Sequence, residues 1–130
     1  MLLLFSSLLR AEPPALTLPA PQECVQALFA DDPEFAVFDG LSIDQIRDSV
    51  DAFIPSLHGC VPEGARLDGA MELEIVVACD GRVDSVSVES AERLPESVIG
   101  CVEDSMRYAS FPAHDMPGGV HFLYPMQFRF

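Results

Sequence analysis

The stretch "MELEIVVACDGRVDSVSVES", Met71 to Ser90, leaves its backbone little freedom. Met71, Leu73, Ile75, Val77 and Cys79 share one parity, while Glu72 and Glu74 take the other, joined by Val76 and Ala78. Side chains of a strand alternate between two faces. The pattern therefore predicts a strand with one apolar face, whose other face is open to water over its first half. Asp80-Gly81 then supports a tight reversal, because glycine tolerates positive φ. In the return strand Val86 and Val88 share a face and Val83 has the opposite parity, which calls for a bulge or irregular turn near Asp84. A lone hairpin is not stable in water, so other elements must cover the apolar face.

Two amphipathic segments can do so. In "GLSIDQIRDSVDAFIPSLHGC", Ser42 and Gln45 have the spacing of a capping box. Ile43, Ile46, Val50, Phe53, Ile54 and Leu57 then recur at helical steps, with Asp44, Arg47, Asp48 and Asp51 on the other side. Pro55 is expected to kink or end this helix, since it removes one helix hydrogen bond, and Gly59 gives a stop. In "RLPESVIGCVEDSMRYASF" Pro95 suits a first-turn position and Glu96 favours the positive end of the helix dipole. Val98, Cys101, Val102, Met106 and Tyr108 or Ala109 form the stripe to be buried. Gly100 weakens the helix and would allow another element to approach closely. The last segment, "VHFLYPMQFRF", alternates Val120, Phe122, Tyr124, Met126, Phe128 and Phe130 against His121, Leu123, Pro125, Gln127 and Arg129. Pro125 cannot donate to a ladder, so this strand lies at an edge there or is bulged. The reading is α+β: a three-stranded antiparallel sheet with two helices on one face, in the order α-β-β-α-β.

The domain is expected to span residues 39–130. Residues 1–11 hold an apolar run, Leu2 to Leu9, followed by Arg10; it is about half the length of a membrane-spanning helix and reads as the core of a secretory signal or, alternatively, as a frayed cytosolic N-terminus. Residues 12–38 read as a proline-rich linker followed by a short helix or turn around Glu23 to Ala30, ended by Pro33. The chain is 49% hydrophobic, which suits a folded core. It carries a net charge of -14 and its seven basic residues are all arginine, so there is no basic footprint for nucleic acid. Acidic lipid surfaces should repel it too.

Taken in order, "IPSLHGC", "LEIVVACDGRVDSVSVES", "ESVIGCVEDSMRYASFP" and "VHFLYPMQFRF" resemble the TonB C-terminal domain, above all the branch attached to gliding-motility and other envelope proteins. The matching places are Cys60, Asp80-Gly81-Arg82-Val83, Cys101, Phe111-Pro112 and Tyr124-Pro125, and the likeness covers roughly Leu41 to Phe130. Two features depart from it: no tyrosine-rich turn follows Cys60, and Ser110 stands where tryptophan is usual. The resemblance implies a periplasmic or secreted domain with a role in the cell envelope, in energy or signal transfer to an outer-membrane partner.

Four cysteines in an exported domain permit disulfides. Cys60 with Cys101 is the preferred pair, because each closes a helical region packed on the same sheet; Cys24 with Cys79 is a weaker second. Four free buried thiols are the alternative. His58 and Cys60, joined by His114 or His121, are the only approach to a metal site, and the close ligand pairs of structural zinc are missing. A thiol nucleophile at Cys79 would be buried and inert. Glu72 and Glu74 read as solvent-facing acids that discourage aggregation rather than as an acid–base pair. No cofactor or metal is expected, and the chain reads as a non-enzyme. The expected partner is a protein or extended peptide, or a second copy, paired along an edge strand near His121, Leu123, Gln127 and Arg129. Pro125 and Arg129 could instead block such pairing. Two other readings stay open: a disulfide-stapled secreted structural domain, and a small thiol- or metal-dependent enzyme.

Overall fold

The computed structural model describes residues 16–32 and 34–130. The signal-like run of residues 1–11, the first prolines of the linker and Pro33 lie outside the described residues. Helix α1 spans Ile43–Leu57 and continues into a single 3-10 turn, His58–Cys60. Its start is fixed by a complete capping box: the Ser42 hydroxyl accepts the Gln45 N–H at 3.1 Å, and the Gln45 side chain accepts the Ser42 N–H at 2.9 Å. Pro55 does not end the helix, which runs on to Leu57. A proline in the last turn removes one bond where few later residues depend on it. The apolar stripe is only partly covered. Val50 and Leu57 are buried, but Ile43 and Ile54 remain exposed.

The sheet has the order β2-β1-β3, with β1 at Asp68–Val77, β2 at Val83–Glu92 and β3 at Val120–Arg129, all neighbours antiparallel. Burial of Met71, Leu73, Ile75 and Val77 on one face of β1 follows the alternation of its sequence. Between β1 and β2 the register slips twice. Val76 pairs with Ser85 and Val77 with Val83, leaving Asp84 as the extra residue that brings Val83 and Val86 to one face. A second slip, which the sequence did not announce, leaves Glu89 between Val88 and Ser90. Between β1 and β3 there is no slip, from Asp68 against Arg129 to Val77 against Val120.

Helix α2, Glu96–Met106, buries Val98, Val102 and Met106 completely, while Cys101 is half-buried. Pro95 is its N-cap with extended ψ of 147°, one position earlier than the first turn expected of it. Gly100 is exposed, and a Cβ built there meets nothing within 4 Å. Among the described residues no element uses the close approach that a glycine there would allow. Both helices lie on one face of the sheet, and their buried residues join the β1 row, Phe111, Met126 and Phe128 in one core.

No helix forms at Glu23 to Ala30, where the described backbone is extended and then turns. The segment is instead tied to the rest of the domain. The Gln22 N–H donates to the Asp80 carbonyl at 3.1 Å and the Val25 N–H to that of His114 at 3.0 Å. Cys24 is bonded to Cys79, and Leu28 bridges to Val37. Farther on, the Asp115 carboxylate accepts the N–H of Asp39 at 3.0 Å and of Gly40 at 2.8 Å. That clip holds the chain just ahead of α1 against the loop that leads into β3.

Candidate strand-pairing edge

Backbone parity along β3 is set at its end. Phe130 and Leu67 exchange two hydrogen bonds, Phe130 N–H to the Leu67 carbonyl at 2.8 Å and the reverse at 3.2 Å. In an antiparallel ladder such pairs alternate with pairs whose amides and carbonyls point away. Because the β1–β3 register is unbroken, Phe128, Met126, Tyr124, Phe122 and Val120 face β1 with their backbones. His121, Leu123, Gln127 and Arg129 turn theirs to the outer edge, with Pro125 among them, and no strand among the described residues pairs with that edge. Proline therefore occupies a position where a missing N–H costs the ladder nothing. It does leave a gap in the outer row of donors, with two on each side of it. The same four residues are exposed on the face away from the helices, Leu123 at 55%.

The edge also borders an apolar groove formed with α1. One end, about 330 Å³, lies among Ile43, Ile46, Arg47, Phe122 and Tyr124. The other, about 170 Å³, lies among Ile54, His58, Tyr124, Met126 and Phe130. Tyr124 and Pro125 belong to both. Ile43 is 74% exposed and Ile54 37%, so the groove is walled by the part of the α1 stripe the fold leaves uncovered. The phenol of Tyr124 is pushed above its ordinary pKa by burial and by the charge of Asp51. Only the exposed apolar residues of α1 could have pointed to this groove from sequence, and periodicity alone reads them as core. The other edge strand, β2, is interrupted by both bulges and carries Asp84, Glu89 and Glu92, devices that discourage pairing.

On the open face of the sheet Glu72 and Glu74 are half-exposed rather than free in solvent, and the bulged Glu89 joins them. Glu89 is held above the usual carboxylate range by a hydrogen bond with Glu74, then by the charge of Glu74, and less by burial and Glu72.

The cysteines and His114 of the metal and thiol readings are otherwise engaged. Cys60 is bonded to Cys101 with Cα atoms 5.5 Å apart, and Cys24 to Cys79 at 5.0 Å. No free thiol is left among the described residues. His114 is buried, its Nε2 2.9 Å from the Val77 carbonyl, while its Nδ1 accepts the Met116 N–H at 3.1 Å. That arrangement puts the proton on Nε2 and spends both ring nitrogens. His58 packs edge-on against Phe130, with ring centroids 5.8 Å apart, and His121 sits on the free edge. Among the described residues no group of three His, Cys, Asp or Glu side chains is arranged to hold a metal ion, and no helix is long and apolar enough to cross a membrane.

No protein-family model matches the chain, and no curated protein does. A similar solved structure is the solution structure of the Helicobacter pylori TonB C-terminal domain, residues 179–285. It is 11% identical, covering 71% of this chain and 96% of that one, with a TM-score of 0.38. A likeness at that level fixes neither family nor function.

Proposed function

We propose that this domain is a non-catalytic interaction module of the cell envelope, which takes an extended segment of a partner protein along the free edge of β3. The observation that carries the reading is the coincidence of an uninterrupted register, an outer row of unpaired amides and carbonyls, and an apolar groove beside them. Main-chain bonds along such an edge give affinity, and pockets for alternate side chains give specificity. The two disulfides support an exported, oxidised setting. The ordered motifs from Cys60 to Tyr124-Pro125 support a role like that of TonB C-terminal domains, an adaptor in energy or signal transfer to an outer-membrane partner.

Amide hydrogen exchange tests the reading. In the isolated chain the N–H groups of His121, Leu123, Gln127 and Arg129 should exchange quickly, and those of Phe122, Tyr124, Met126 and Phe128 slowly. Adding a binding peptide should slow the first set. A peptide that binds while leaving those four amides unchanged would show that the contact lies elsewhere.

A further inference from the structure

We propose that the β3 edge selects an extended segment of the pattern apolar–basic–apolar, with the lysine or arginine opposite Pro125. The proposal rests on strand addition at this edge and names the ligand chemistry of the same site. Pairing parity places the side chains. A residue opposite Pro125 projects onto the open face, and its two neighbours, opposite Tyr124 and Met126, project toward α1. Those neighbours stand about 6.7 Å apart, two residues along a strand. They would project toward the two ends of the groove, one walled by Ile46 and the other by Ile54. A charge there would lose water against apolar walls, and Arg47 at one end would repel a basic residue.

The open face reverses these demands. Pro125 pairs with Glu72 on β1, Leu123 pairs with Glu74, and Glu89 adds a third carboxylate to the group. The acids lie close to one another on this face, and Glu74 contributes most to raising the pKa of Glu89, through a hydrogen bond and its charge. The cationic side chain of β3 lies away from them, Arg129 against Asp68, while His121 stands against Val76. The acidic centre thus has no base of its own along the sheet. An added strand would run two interstrand spacings from β1, about 9.6 Å. A lysine or arginine can cross that gap, because the short ring of Pro125 puts nothing long in the way.

The register disfavours a second copy as occupant. A two-fold pairing of β3 with itself about Pro125 sets two prolines face to face, neither with a donor. It brings Arg129 against His121 and supplies no base at the centre.

The test uses the full oxidised chain and fluorescein-labelled peptides, Ser-Thr-Leu-Arg-Leu-Thr-Ser and two relatives with glutamate at the centre or serine at both flanks. Anisotropy gives affinity, and nitrogen-15 spectra give the β3 amides. The arginine peptide should bind about tenfold or more tightly than the glutamate peptide. That advantage should shrink in high salt and in the double variant Glu72→Gln, Glu74→Gln. The serine-flanked peptide should bind weakly. Equal binding of all three, with shifts at the β3 amides, would leave strand addition standing and overturn the selectivity. If no peptide moved those amides, both would fall. Self-association that competes the arginine peptide off the edge would assign it to a second copy and likewise overturn the proposal.

Discussion

Two glycines of similar appearance in the sequence have opposite roles. Gly81 holds φ at +85° in the hairpin turn, and a Cβ there would collide with the Phe111 carbonyl. Gly100 lies in an exposed helical position with open space around it. Gly100→Ala should therefore stabilise the protein by about 1 kcal/mol in urea unfolding, whereas Gly81→Ala should destabilise it. The carboxylates also separate by environment. Asp115 is held below the usual range by the N–H of Asp39, then of Gly40. A depressed carboxylate pKa contributes stability above the unfolded value of 3.8, and the contribution is lost as pH falls through the folded value. Asp115→Asn should lower stability at neutral pH and converge with the parent in acid. For Glu89 the sign is reversed: its raised pKa lowers stability as pH rises through and above 4.5. Glu89→Gln should raise the unfolding midpoint at pH 7 and lose that advantage in acid, and a constant difference across pH would refute the crowding of the three acids.

Between elements, the Cys60–Cys101 bridge joins the end of α1 to the middle of α2 across 41 residues of sequence. On the chain-entropy view, closing a loop of that length stabilises the fold by about 4 kcal/mol. The double variant Cys60→Ala, Cys101→Ala should lose a comparable amount in equilibrium unfolding. Cys24–Cys79 spans 55 residues but ties down an exposed segment, so its removal should matter less. The segment can detach locally while the sheet stays protected from exchange. Equal losses from the two double variants would mean that the N-terminal segment unfolds with the core. The apolar stripe of α1 is only half covered. Its periodicity is that of a core helix, yet Ile43 and Ile54 wall an open groove because β3 is the last strand on that side.

For the whole molecule, the expected boundary at Asp39 predicts that residues 39–130 fold without the segment ahead of them. A chain of residues 39–130 carrying Cys79→Ser keeps the sheet, both helices, the inter-helix disulfide and the Asp115 clip. It should give the same pattern of protected sheet amides as the full chain, at a lower melting temperature. Loss of that pattern would extend the domain back to Gln22, where the first hydrogen bonds to the hairpin begin. The net charge of -14 acts over the same scale, drawing basic segments toward the edge at low ionic strength and repelling acidic ones.

Local rules determined the elements of this protein. Alternation set the strands and the buried face of β1, Asp80-Gly81 the hairpin, Ser42 and Gln45 the start of α1, and the parity of Val83 the bulge at Asp84. Each of these depends on neighbours in the chain, which a sequence displays directly. The second bulge at Glu89 escaped that reading, and neighbours in the chain left open whether Glu23 to Ala30 forms a helix or a turn and whether Pro55 kinks or ends α1. The conformation at Glu23 to Ala30 is settled by hydrogen bonds and a disulfide to residues far along the chain. The site depends on tertiary structure more strongly still. His121, Leu123, Gln127 and Arg129 were legible as one parity of one strand. That their backbones face an open edge follows from β1 lying in the centre and from the Leu67–Phe130 pair, and the groove beside them from where α1 comes to rest.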